Sequence, residues 1–560
     1  MKMSPVRYAA CVCLLLLPLH LGYAASALTG ERIAALLRAE DPEALATVSG
    51  QTVYGAPLIR QMYAARGYEP LWSVEAIVAF SDALDRLEAD GLTPGDYRFA
   101  EIAPQLGTPD MSALGPAEAA EVDILLTEAF VRATYNLYFG KADPERLDPD
   151  INFVRSYTGE DPAPFLLEHI AQARIGEVFD WARPKNERFE WLRQGLARYR
   201  AYQAGGGWEP IPSGETLKPG QSDPRVVLVR KRLAVTGDLP ASGTGSVDLA
   251  RFDDTLEAAV KRFQARHGIE VDGVIGAGTL AAMNVPVADR IDQIRVNLER
   301  GRWTLHEAYD QFLVADIAGF DVYWVKDGEI FWKEQIQVGK EYTKTPVFKG
   351  EIRYLDFNPT WTIPPGILRR SVIPGLKKDP GYLDKKGYQL LTLDGKPVDS
   401  KTVDWNSLNG FPYMVRQPPG PDNALGQVKF MFPNPHFVFL HDTNHRELFD
   451  RSKRSFSSGC IRVRNPFELA ERLLAGQGEW TREKIDTVVA SGRTTRVNLN
   501  QPMRIIIAYN TARVPTEGSQ VHFRPDIYKR DAKVLAALDG AFRLHTRDSN
   551  GGTPYVTETP

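Results

Sequence analysis

The feature that most constrains the fold is a change of hydrophobic period near Gln311. Upstream, apolar residues recur at three-and-four spacing, as in Ile77 to Leu87 and Ala117 to Tyr138, which predicts helices with a buried face. Downstream, β-branched and aromatic residues alternate through Phe312 to Ile317, Phe320 to Val325, Ile330 to Val338, Ile352 to Phe357, Phe437 to Leu440 and Arg504 to Tyr509, the period of strands. Two periods segregated along one chain imply separate layers. The expected architecture is multidomain α+β, helical first and β-rich after.

Punctuation divides the chain further. Residues 1–27 have the three parts of a secretory signal: a basic start through Lys2 and Arg7, an apolar run from Tyr8 to Leu19, and small residues through Ala24-Ala25-Ser26-Ala27. Export with cleavage near Ala24 or Ala27 is expected. The alternative, an uncleaved inner-membrane anchor, is disfavoured by the short run and by Pro18 and His20. A helical scaffold domain follows over 28–204, then a linker marked by Gly205-Gly206-Gly207 and Pro210-Ile-Pro212. The β-rich domain spans 308–510, a C-terminal extension 511–545, and a polar, disordered tail 546–560. Within the β-rich domain, 358–428 is rich in Pro, Gly and Lys and too long for an ordinary connection, so an inserted lid subdomain is expected there.

A net charge of -4 provides no broad basic field, which argues against a nucleic-acid partner. Of the three cysteines, Cys11 and Cys13 lie in the expected signal, leaving Cys460 alone in the mature chain. A lone exported thiol is either a buried inert residue or a reactive one. Its neighbours favour reactivity: Ser457-Ser458-Gly459 precede it, small enough for a substrate carbonyl to approach, and the Gly459 and Cys460 amides could hold an oxyanion. His441, at the rim of the strand Phe437 to Leu440, could accept the thiol proton and give a thiolate-imidazolium pair. Asp442, by backbone or side chain, could fix its tautomer.

Two resemblances follow from longer motifs. Residues 214–290 contain Leu217-Lys-Pro-Gly220, Phe263-Gln264, His267-Gly268, Asp272-Gly273 and Thr279-Leu280, and resemble the small three-helix peptidoglycan-binding domain, with Phe263 in its core. The β-rich domain contains Asn358-Pro359-Thr-Trp361-Thr-Ile-Pro364-Pro365, Arg416-Gln-Pro-Pro-Gly420, Asn423-Ala-Leu-Gly426, Lys429-Phe-Met-Phe-Pro433-Asn434, His441-Asp-Thr443 and Ser457-Ser-Gly-Cys460-Ile-Arg462. It resembles the catalytic domain of L,D-transpeptidases, the YkuD domain, in the layout of the large periplasmic members with an inserted lid.

That resemblance implies a periplasmic cysteine acyltransferase with no cofactor. Cys460 would take the acyl group of a tetrapeptide stem as a thioester, releasing the terminal D-alanine, and the amine of a second stem would resolve it. The thiolate would be open to carbapenem-type lactams. Arg462, Arg416 and Asn423 would hold substrate carboxylates and amides, or serve as ion-pair and turn residues. Trp361 would line the substrate site. Ser458 stands where the commonest family pattern has a His, and would shape the loop. Peptidoglycan is the implied partner, with other wall-synthesis proteins reached through the scaffold. Two alternatives remain at this level: a zinc-dependent wall hydrolase using His441 and His445, which stand four apart, and a non-catalytic wall-binding protein.

Overall fold

The computed structural model describes residues 17–102, 111–153, 161–240, 248–306, 309–379, 381–405, 411–478 and 480–543. Most of the expected signal and the whole tail from 546 lie outside them. The helix Leu17–Leu37 runs unbroken through Ala24–Ala27, and no described helix is long and apolar enough to cross a membrane.

Helix Pro116–Phe139 is the axis of the N-terminal domain, and every residue from Val122 to Phe139 is buried. Such a helix must be surrounded by others. Helices Ala56–Ala65, Val74–Asp85, Pro162–Ala171 and Ile175–Ala182 share one core with it. Its buried Asp123 is partnered, accepting from the Leu71 and Trp72 amides and from the Tyr63 hydroxyl. Gly140 ends the helix at φ +89°, where a Cβ would stand 2.5 Å from Glu299 Oε1. A two-stranded hairpin, Ala46–Val48 with Gln51–Val53, is an addition to the expected all-helical domain.

The next unit is built on helices Arg225–Val235, Asp254–His267 and Ala277–Met283. Phe263 is fully buried among them, a burial that stabilises by about 1.5–3 kcal/mol. Gly273, at φ +75°, makes the turn before the last helix. The expected linker is packed rather than free: Ile211 joins this core and exchanges hydrogen bonds with the Asn284 side chain.

Helix Val287–Thr304 then ties the parts together. Val296 enters the scaffold core, and Arg300 pairs with Asp531 at 2.7 Å. The C-terminal extension returns along this helix, and Val534, Leu538 and Phe542 complete the scaffold core.

The β-rich domain holds a nine-stranded sheet. Its strands are β1 (Gln311–Asp316), β2 (Asp321–Lys326), β3 (Glu329–Gly339), β4 (Phe348–Phe357), β5 (Val428–Met431), β6 (Leu440–His441), β7 (Ser455–Ser457), β8 (Ile461–Val463) and β9 (Thr495–Ala508). Their order is β7-β3-β8-β6-β5-β4-β9-β1-β2, and β2 also pairs with β3, so the order returns on itself. The multidomain α+β architecture is the expected one. The strand expected over Phe437 to Leu440 is shorter: Asn434 bonds the carbonyls of Phe432 and Val438 and the amides of His436 and Val438, holding a loop that leaves only Leu440–His441 extended and paired.

The insertion has more sheet than its sequence suggests. Strands Trp361–Thr362, Tyr413–Gln417, Gln389–Thr392 and Pro397–Val398 form a separate four-stranded sheet. Ile363, Val372, Leu376, Leu390, Trp405 and Val415 give it its own core. It is a folded subdomain, and its Trp361, Ile367 and Arg370 line a cleft shared with the nine-stranded sheet domain.

Candidate active site

The central geometry comes from strand pairing. β6 and β8 run parallel, with Leu440 opposite Ile461 and His441 opposite Arg462. The Ile461 amide donates to the Phe439 carbonyl at 3.1 Å, so Cys460 lies beside Phe439. Side chains alternate along strands, which turns the fully buried Leu440 and Ile461 to one side of the sheet and His441, Cys460 and Arg462 to the other. Cys460 and His441 are diagonal neighbours there. The thiol's hydrogen-bonding contact is with the Phe437 carbonyl at 3.6 Å, so His441 is a neighbour of Cys460 on this face rather than its hydrogen-bond partner among the described residues.

His441 also belongs to a polar row that crosses the sheet. Arg496 of β9 faces Asp356 of β4, Asp356 faces Lys429 of β5, Lys429 faces His441, His441 faces Arg462, and Arg462 faces Gln337 of β3. The outer members are tied: Arg496 to Asp356 at 2.8 Å, and Arg462 Nη1 to Gln337 Oε1 at 3.2 Å. The imidazole is therefore 3% exposed within the sheet, not at a rim as expected.

Its Nδ1 bonds the Asp442 carbonyl at 2.5 Å. A carbonyl only accepts, so Nδ1 carries the proton and Nε2 is left as the base. Asp442 thus acts on the ring through its backbone. Its carboxylate turns to the preceding loop, accepting from the Gln427 amide at 3.0 Å and from Arg446 at 2.7 Å. Gly426 is required beside it, since a Cβ there would stand 2.4 Å from that carboxylate.

Burial pushes the His441 pKa down to about 3, with the Arg462 charge adding to it and the Asp442 and Leu425 carbonyls opposing. Burial pushes the Cys460 thiol up to about 11, opposed by the Phe439 backbone and by the Lys429 and Arg462 charges. Desolvation thus works against the expected thiolate-imidazolium pair, while the Lys429 and Arg462 charges work for the thiolate.

The thiol opens into a cleft of about 550 Å³, partly exposed, with His441 and Arg462 in its wall. Trp361, Ile367 and Arg370 of the insertion line the facing side. Ser458 is exposed at the edge. Gly459, at φ +127°, gives its amide to Ser457 Oγ at 3.1 Å, so in the resting loop that N–H is already used and the Cys460 amide is the remaining oxyanion donor of the expected two.

Other candidates are placed elsewhere. Asn423 is 1% exposed, with its amide nitrogen on the Pro359 and Pro418 carbonyls and its oxygen on the Leu425 amide. It is a loop staple with no group left for a substrate. Arg416 lies in the lid sheet opposite Thr362, its Nε 3.3 Å from the Thr362 hydroxyl, away from the cleft lining. His445 is exposed and faces Glu447 at 3.4 Å. Among the described residues no three His, Cys, Asp or Glu side chains gather as a metal ligand set.

Lys429 stands in a stretch singled out by sequence but given no role there. Its place opposite His441 and its charge toward Cys460 make it the nearest cationic influence besides Arg462. Its ammonium lies 4.1 Å from the Phe439 ring centroid, which keeps it on the catalytic face. Lys429→Met should raise the thiol pKa and slow Cys460 alkylation at fixed pH on the order of tenfold, equivalent to about 1.4 kcal/mol of lost charge stabilisation. A pH-rate profile that does not move would remove Lys429 from the thiol's electrostatics.

Comparison with known proteins bears on these domains separately. Residues 310–494 match the YkuD family, described as "L,D-transpeptidase catalytic domain". Residues 57–196 match a "Scaffold domain" and residues 222–283 a "Putative peptidoglycan binding domain". A protein of Haemophilus influenzae named "Putative L,D-transpeptidase" is 34% identical over 226 residues, covering 40% of this chain and 45% of that one. The chain thus spans less than half the length of this curated relative. Crystal structures of L,D-transpeptidases from Xylanimonas cellulosilytica and Stackebrandtia nassauensis are each 15% identical, covering 54% and 55% of this chain and 100% of theirs, with TM-scores of 0.18 and 0.21. Scores so low carry no weight beside the domain matches. Residues 310–494, which hold the strands that bring Cys460 and His441 onto one face, match the L,D-transpeptidase catalytic-domain family, and the residues ahead of them match the scaffold and peptidoglycan-binding families.

Proposed function

We propose that the chain is a peptidoglycan L,D-transpeptidase acting through a Cys460 thioester. The observation that carries this reading is the shared face of Cys460 and His441, with Nδ1 held by a carbonyl and Nε2 free to act as base. In the first step the thiol attacks the carbonyl of the third-position diamino acid of a tetrapeptide stem. His441 Nε2 takes the thiol proton as the carbon–sulfur bond forms, and passes it to the departing D-alanine amine as the carbon–nitrogen bond breaks. In the second step the side-chain amine of another stem attacks the thioester, giving up a proton that returns the thiol. Because Nδ1 is committed to the Asp442 carbonyl, Nε2 is the ring nitrogen that accepts in the first step and donates to the departing amine.

Arg462 supports the substrate class. It lines the cleft, and its Nε is buried without a hydrogen-bond partner among the described residues. A guanidinium there favours a substrate carboxylate. The lid wall of Trp361 and Ile367 restricts water, which favours an amine as acceptor. The N-terminal signal pattern would place this activity in the periplasm, with the peptidoglycan-binding unit on the wall and the scaffold available to other wall-synthesis proteins.

The test is mass spectrometry of sacculi rich in tetrapeptide stems after incubation with the purified chain. The expected products are dimers linked between two third-position residues, with one D-alanine released per link. Release of D-alanine without dimers would replace the transpeptidase reading with a carboxypeptidase, and an unchanged wall would remove both.

A further inference from the structure

We propose that Tyr528, in the C-terminal extension beyond the residue 494 limit of the catalytic-domain match, is a positioning residue that aims the Cys460 amide at the oxyanion. The proposal rests on the acyl-transfer reading of Cys460.

The argument follows a chain of hydrogen bonds. The Tyr528 hydroxyl donates to the Gly339 carbonyl at 2.6 Å and accepts from the Thr345 amide at 3.1 Å. It thereby clamps the two ends of the turn between β3 and β4. Thr345 Oγ1 accepts from the Gly339 amide at 2.9 Å and donates to the Gly459 carbonyl at 2.8 Å. The single Thr345 hydroxyl proton goes to Gly459, and the Gly339 amide on one of its lone pairs fixes the direction of the Oγ1 atom.

The Gly459 carbonyl and the Cys460 amide belong to one planar trans peptide, so they point in opposite directions. Holding the oxygen on the Thr345 side turns the Cys460 N–H toward the other side. Because the Gly459 amide is committed to Ser457 Oγ, this peptide is the donor that matters. The geometry also depends on Gly339, where a Cβ would stand 2.1 Å from the Thr343 carbonyl.

Tyr528 is itself fixed from behind. Its amide donates to the Tyr509 hydroxyl at 2.8 Å, which donates to Asp526 at 2.6 Å, and the two rings stack at 5.5 Å. Asp526 in turn accepts the Arg530 and Asp531 amides at the start of the last helix. Lys344 Nζ bonds the Tyr528 carbonyl at 3.0 Å. The C-terminal extension therefore holds, through Tyr528, the turn whose Thr345 bonds the nucleophile loop.

The test uses the full chain with Tyr528→Phe, which keeps the ring and removes the hydroxyl, and reads two reactions of the same thiol. Acylation by an activated ester passes through an oxyanion, whereas alkylation by iodoacetamide does not. Acylation, and kcat with stem substrate, should fall on the order of tenfold or more, as for loss of an oxyanion donor, with KM within about twofold. Alkylation should keep its wild-type rate and pH profile. Thr345→Val should reproduce the defect without adding to Tyr528→Phe, and Thr345→Ser should restore most of the rate. Wild-type acylation in both Tyr528→Phe and Thr345→Val would overturn the proposal, as would alkylation falling in parallel, which would mean a damaged loop. Because the ester reports on the loop whatever the natural substrate, failure of the wild-type protein to cross-link stems would count against the transpeptidase reading alone.

Discussion

Replacing Cys460 with alanine is expected to abolish cross-linking, a loss on the order of 10⁴-fold or more, while the fold persists. The thiol sits partly exposed in the cleft and its one hydrogen-bonding contact is a long one, 3.6 Å to the Phe437 carbonyl, so removing the sulfur should leave packing almost untouched. No second thiol can substitute, because Cys460 is the only cysteine outside the N-terminal thirteen residues. The same residue should be acylated by carbapenem-type lactams. Intact-mass analysis should show one adduct on the wild-type chain and none on Cys460→Ala. Residual cross-linking by a pure variant, or an adduct that survives the substitution, would mean that another nucleophile acts.

His441→Ala should cost on the order of 10²- to 10⁴-fold in turnover, the range of a general acid–base group. The pH dependence is the sharper readout. With the imidazole held down to about 3 by burial and Arg462, the basic form of His441 persists well below the usual histidine range, so kcat/KM of the wild-type enzyme should show no acid limb near pH 6.5. The thiol, pushed up to about 11, should give an alkylation rate that keeps rising through pH 9–10. The groups that set its acidity are the burial of the site, the Phe439 backbone, Lys429 and Arg462, so His441→Ala should remove turnover and leave the alkylation midpoint close to its wild-type place. An alkylation midpoint near neutrality that disappears with His441 would instead establish a resting ion pair. Ser458→Ala should stay within a few-fold, since an exposed hydroxyl at the cleft edge has no basicity to contribute.

Much of the architecture was legible without coordinates. A helix with a buried face announces itself over Ala117 to Tyr138, and an alternating run does so over Ile330 to Val338, because each period reflects which face of a local element meets the core. The turn at Asp272-Gly273 and the nucleophile are equally local: one needs a residue tolerant of positive φ, the other is the single cysteine that would remain after signal removal. The lid was legible as a length and a composition, but its four-stranded sheet was not, since its strands of two to five residues are too short to display a period.

The roles of the flanking residues were set elsewhere. Asn423 and Asp442 are polar residues beside the catalytic motifs, yet the Asn423 amide and the Asp442 carboxylate are consumed by the loops they hold, and a sequence shows a side chain's chemistry without showing which backbone groups lie near enough to use it. Lys429 became part of the site only when β5 paired beside β6. Tyr528 did so only when the C-terminal extension folded back against the turn at Thr345. By itself the sequence determined the periods, the turns, the domain order and the identity of the thiol and the imidazole. The tertiary structure alone decided that Cys460 and His441 share a face, that burial acts on the acidity of both, and which neighbours surround them. Pairing between strands nineteen residues apart, or between a loop and a distant terminus, is chosen by how the whole sheet buries its apolar side and satisfies its backbone, and no local pattern records that choice.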